Sequence, residues 1–150
     1  FMLRIDIGYP APAAEAAIVA QYGAEMGSPR IESFGIATVD PGHVARARAQ
    51  SAAVHVSEAL VDYLLRLATA TRQSPQLALG ISTRAVLALT WGARVEAASR
   101  GAAFATPDDV KAVAPAIMAH RIVLSPDAVL DGQTAGAVIG RLLEQVPVPR

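Results

Sequence analysis

The sequence predicts an all-α, mainly helical protein, and three observations carry that prediction. Helix starts recur: Asp40-Pro41, Ser57, Ser82 and Thr106-Pro107 each place a capping oxygen or a proline before a run that repeats at helical spacing. Of the 150 residues 53% are hydrophobic and only 17% charged, and much of the apolar share is alanine, which suits close-packed helices. A single strand-like alternation, FMLRIDIG, opens the chain. One strand by itself is not stable in water.

Taken in order, that opening puts Phe1, Leu3, Ile5 and Ile7 on one side and Met2, Arg4 and Asp6 on the other, until Gly8 and Pro10 end it. No other long strand pattern follows. Residues 1–7 are therefore expected to lack sheet partners, and to be mobile, fold onto the helices or pair with a second copy. A short helix is expected over 13–22 with Ile18, Val19 and Tyr22 inward, then a loop over 23–35 carrying Gly27, Pro29 and Gly35. Asp40-Pro41 starts a helix to about Ala53, and Val54-His55-Val56 is a brief extended step. Ser57 caps a helix in which Leu60, Tyr63 (or Leu64) and Leu67 recur, until Ser74-Pro75 breaks it. The central helix should run from about Ser82 to Arg100. It is apolar on most faces, so Ala85, Leu89 and Trp91 are expected to be buried, and Gly101 should close it. Thr106 opens a helix to about His120. Ser125-Pro126-Asp127 and Asp131-Gly132 read as turns, 134–145 as a last helix, and Pro147 and Pro149 as its end.

Composition excludes several functions. Lys+Arg and Asp+Glu are both 13, and the sole lysine is Lys111, so a histone-like DNA binder, which must neutralise phosphates, is disfavoured. No apolar run approaches the roughly 18 residues of a membrane span, and no secretory leader is read at the start. Without cysteine there are no disulfides, thiolate metal sites or cysteine nucleophiles, which points to an intracellular, cytoplasmic protein. His43, His55 and His120 stand in no metal-ligand spacing, so no metal site is expected in this chain. There is no G-x-x-x-x-G-K-[ST] loop and no strand ending in Asp-Glu, so the chain alone should not hydrolyse a nucleotide. Gly80-Ile81-Ser82-Thr83-Arg84 half-matches a hydrolase elbow, but Arg84 replaces the final glycine and Ser82 reads better as a helix cap. Asp108-Asp109 suits the positive end of its helix, and His120-Arg121 suits a helix end.

Arg84 breaks the pattern. It lies in the first turn after Ser82, where unpaired backbone N–H groups disfavour positive charge. Two readings are open from the residues alone: an exposed arginine tolerating a small cost, or an anion site in which guanidinium and backbone N–H groups face one phosphate.

GYP at 8–10, VHVSEALVDYLLRLATATR, LGISTRAVLAL, ATPDDVKAVAPAIMAHRIVLSP and LLEQVPVP follow in order along nearly the whole chain. Together they resemble the C-terminal part of MoxR-type AAA+ ATPases. The resemblance implies an AAA+ lid-type helical bundle over residues 11–150, preceded in residues 1–10 by the last strand of the ATPase core and a hinge. It implies that Arg84 is the sensor 2 arginine, catalytic only in the full-length protein, and that Tyr9 and Pro10 lie beside the adenine. It also implies ATP and magnesium as cofactors of the full-length protein, none tightly bound by this piece. Further implications are closure on the protein's own ATPase core, a homo-oligomeric ring, hexameric by expectation, and chaperone-like action on client proteins, some with von Willebrand factor A domains. The Walker A and B segments, sensor 1 and the arginine finger precede this region in the family. A stand-alone helical interaction module is the competing reading; an upstream segment containing GKT or GKS separates the two.

Overall fold

A computed structural model describes residues 1–23 and 35–149. The chain divides into two units, Phe1–Arg4 with Ala45–Arg150, and Ile5–Val44. The smaller unit contains α1 (Pro12–Tyr22), which starts on a proline without a side-chain cap and buries none of its residues. Ile18 and Val19 are exposed, contrary to the inward orientation expected of them. The helix has apolar residues scattered around it, so periodicity gave it no defined inner face. Most of the loop expected over 23–35 lies outside the described residues.

Helix α2 (Pro41–Ala53) begins as its Asp-Pro start predicts, with Asp40 Oδ1 accepting from Gly42 N–H at 3.2 Å. The larger unit is then built on α3 (Glu58–Gln73), α4 (Thr83–Ser99), α5 (Pro107–Met118) and α7 (Ala135–Gln145). Ser57, Ser82 and Thr106 each cap one of these through the side-chain oxygen, the role that their position in the sequence predicts, and Thr134, read as the start of the last helix, caps α7 in the same way. On α3 the buried residues Leu60, Tyr63, Leu64 and Leu67 recur at three- and four-residue steps. They face a core completed by Val110 and Ile117 of α5 and Val138, Ile139 and Leu142 of α7. Fully burying each such side chain contributes about 1.5–3 kcal/mol.

The main packing is α4 against α5. Helix α4 buries small residues, Ala85, Ala88, Gly92, Ala93 and Ala97 among them, and the two backbones approach closely. At Gly92 a Cβ would stand 2.8 Å from Ile117 Cδ1 and 3.1 Å from Val113 Cγ2, so those side chains would have to shift to admit one. After α4 the chain turns at Gly101, whose φ of +72° needs the conformation glycine adopts freely. Asp109 is 2% exposed and reciprocates the Thr106 cap: its Oδ2 accepts from Thr106 N–H at 2.8 Å, while its other oxygen pairs with Arg100.

Several small elements differ from expectation. Residues 77–79 and 123–124 form a short antiparallel pair, β1 (Leu77–Leu79) and β2 (Val123–Leu124). Strands of two or three residues are too brief to show alternation. His55 bridges Phe104 in parallel, so the extended step read at 54–56 does pair. The turn expected at Ser125-Pro126-Asp127 opens α6 (Pro126–Leu130), five residues capped by Ser125.

The alternating stretch Phe1–Ile7 takes no strand conformation. Its first residues fold onto the larger unit, with Arg4 N–H donating to the Ala116 carbonyl at 2.9 Å. Alternation marks a potential strand, and among the described residues no sheet partner realises it. The all-α prediction stands.

Candidate functional site

Helix α4 presents the candidate site at its N-terminal turn. Ser82 Oγ accepts from Ala85 N–H at 3.4 Å, which makes it a cap and not a hydrolase nucleophile in an elbow. The first turn contains no acidic residue, so nothing on the helix offsets Arg84. Arg84 is exposed and makes no hydrogen bond or ion pair among the described residues. Its guanidinium is available to an anion approaching that end of the helix.

A surface pocket of about 340 Å³ adjoins it, lined by Phe1, Met2, Arg84, Ala88, Trp91 and Arg121. No carboxylate is in that lining, and two guanidinium groups are. Arg121 Nη2 donates to the Phe1 carbonyl at 2.5 Å and to the Met2 carbonyl at 3.3 Å, so its charge is partly engaged by backbone while that of Arg84 is not. Residue spacing did not single out Arg121, because a cation at a helix end is favourable and needs no further cause.

Trp91 is 55% exposed, where sequence analysis expected a core residue. Ala85 and Leu89 are buried as expected. The apolar residues of α4 run nearly all round it, so their pattern could not tell which stripe faces inward; Leu87, Trp91 and Val95 form the outward one. Tyr9 and Pro10 belong to the smaller unit, where both are exposed and in no regular element. Among the described residues no group of three His, Asp or Glu is arranged to hold a metal ion.

Tyr63, away from this pocket, has a pKa raised above its ordinary value. Burial is the largest cause, the negative charge of Asp108 adds to it, and Arg66 opposes it.

The arrangement is thus a helical domain with an unpaired arginine at a capped helix N-terminus. Residues 69–142 match the family model of the AAA lid domain, which defines the class. Over the whole chain, and 41% of the relative's length, 34% of 159 aligned residues are identical to the chaperone MoxR1 of Mycobacterium tuberculosis (strain ATCC 25618 / H37Rv). YeaC of Bacillus subtilis (strain 168), an uncharacterized protein, is 31% identical over 96 residues, covering 64% of this chain and 30% of that protein. A solved structure of a candidate ATPase from Cytophaga hutchinsonii superposes with a TM-score of 0.81 at 25% identity, over 100% of this chain and 47% of the other. Residues 69–142 are an AAA lid domain, and along its whole length the chain is similar to the MoxR-type AAA+ ATPases. It spans less than half the length of these relatives.

Proposed function

We propose that this domain closes over ATP bound to an ATPase core of the same protein and supplies Arg84 as the sensor 2 arginine. The observation that carries the reading is Arg84 itself, exposed and unpaired among the described residues at the capped N-terminus of α4 in an AAA lid. ATP with magnesium supplies the phosphoanhydride whose cleavage drives the cycle. The chain's own part is to bring a guanidinium and the positive end of α4 toward phosphate charge, and to exclude water as the lid closes. Arg121, in the same pocket lining, adds positive potential. Tyr9 and Pro10 serve the hinge beside the adenine in this reading, and residues 1–10 continue the core.

In the same reading the full-length protein assembles as a ring, a hexamer, in the cytoplasm and couples ATP hydrolysis to remodelling or maturation of client proteins. The name of the relative MoxR1, a chaperone, supports that role. Among the described residues no helix is long and apolar enough to cross a membrane.

The test is Arg84→Ala. In the full-length ATPase, turnover should fall on the order of a hundredfold, because a guanidinium meeting developing charge in a partly dry site is worth a few kcal/mol. In the isolated domain the same change should be neutral or slightly stabilising, by at most about 1 kcal/mol, since alanine is the better helix former and the dipole conflict disappears. Loss of several kcal/mol in the domain, with turnover untouched, would make Arg84 a structural residue.

A further inference from the structure

The segment leading into α4 is gripped by two consecutive residues at the end of α3. Thr71 is fully buried; its Oγ1 accepts from Ile81 N–H at 3.1 Å and donates to the Ala68 carbonyl at 2.7 Å. Beside it, Arg72 Nε donates to the Ile81 carbonyl at 2.9 Å. Both backbone polar groups of Ile81 are therefore held by side chains of α3, one residue before the Ser82 cap and three before Arg84. Gly80 makes the approach possible. A Cβ there would stand 2.6 Å from Arg72 N and 2.7 Å from the Thr71 carbonyl carbon, backbone atoms with no freedom to give way.

Packing of the Ile81 side chain, which is buried, could fix its depth in the core. It would leave the peptide planes free to rotate. Capturing the N–H and the C=O together fixes their orientation as well, and so the point and direction in which α4 begins. Helical geometry then carries that orientation to Arg84 within a single turn.

We propose that Thr71, Arg72 and Gly80 form a positioning clip for Arg84, an inference that rests on reading Arg84 as the phosphate-facing arginine. None of the three touches the nucleotide. They act by holding the start of α4 so that the guanidinium arrives in register when the lid closes. Errors of about 1 Å in such placement are enough to cost a hundredfold in rate.

The experiment uses the full-length ATPase with Thr71→Val, which keeps the shape but removes the hydroxyl, and Arg72→Lys, which keeps the charge but removes Nε. Each is made alone and in an Arg84→Ala background, and kcat, KM for ATP and the melting temperature are measured. Both single variants should lower kcat about tenfold or more while KM moves less. In the Arg84→Ala background neither should lower kcat further. Arg72 is exposed, so Arg72→Lys keeps the fold and the test does not depend on Thr71→Val surviving. Equal proportional losses with and without Arg84, or unchanged kcat in Arg72→Lys, would overturn the clip. If Arg84→Ala alone left turnover unchanged, the reading of Arg84 would itself fail, and the clip with it.

Discussion

Replacing Asp109 with alanine removes several interactions at once. The carboxylate accepts from Thr106 N–H at 2.8 Å and from Thr106 Oγ1 at 2.9 Å, and it pairs with Arg100. Loss of a capping interaction costs about 0.5–2 kcal/mol. Leaving part-buried donors without an acceptor adds about 1–3 kcal/mol. The ion pair adds little, because the Arg100 side chain is 51% exposed and water can replace its partner. Asp109→Ala should therefore destabilise by about 2–4 kcal/mol, and Arg100→Ala by less than about 1 kcal/mol. Urea denaturation of the domain near neutral pH, compared at the midpoint, measures both. If Arg100→Ala cost as much as Asp109→Ala, the ion pair and not the capping box would hold the start of α5.

Tyr63 is buried and its hydroxyl has no hydrogen-bond partner among the described residues, so Tyr63→Phe should be neutral or stabilising by up to about 1 kcal/mol in thermal unfolding. The folded pKa of Tyr63 is raised above its unfolded value near 10, so the native state keeps a proton that the unfolded chain releases. Its contribution is complete below pH 10 and is lost as pH rises through the folded pKa; alkaline unfolding that Tyr63→Phe leaves unshifted would contradict this. Trp91→Ala should cost about 1 kcal/mol or less, and a loss near the 3 kcal/mol of a core tryptophan, read from guanidinium denaturation, would return Trp91 to the interior. Gly92→Ala should destabilise by about 1–3 kcal/mol, since the new methyl must displace Ile117 and Val113; a melting temperature at or above the parent's would show that α4 and α5 have slack there.

Helix beginnings were legible because capping is local: Ser57, Ser82 and Thr106 act through a backbone N–H three residues ahead. Arg84 stands out for the opposite reason, as a cation placed where local electrostatics disfavours it, and among the described residues it is exposed and unpaired. Trp91 was misplaced because its helix offers apolar residues in nearly every direction and only tertiary contacts choose between them. The opening alternation of Phe1–Ile7 describes a strand that needs neighbours, and side-chain pattern cannot supply them. The grip of Thr71 and Arg72 on Ile81 lies ten and nine residues away in sequence and depends on how α3 meets the next segment. No spacing rule reports such a meeting. Arg121 reads from the sequence as a helix-end cation, but α5 ends at Met118 with Ala119 as its cap, so the turn that follows, and not the helix end, puts Arg121 in the pocket lined by Arg84.

The small-residue packing of α4 on α5 also has a mechanical meaning. Alanine and glycine have no rotamers to change, so Ala85, Ala88, Gly92, Ala93 and Ala97 cannot yield to a push by rearranging. A force entering at the Arg84 end of α4 meets a joint with almost no internal give. Long side chains at the same positions would act as a cushion and absorb part of the displacement. On the α4 side the joint is therefore stiff, and what give it has lies in the longer side chains of α5, Ile117 and Val113 among them.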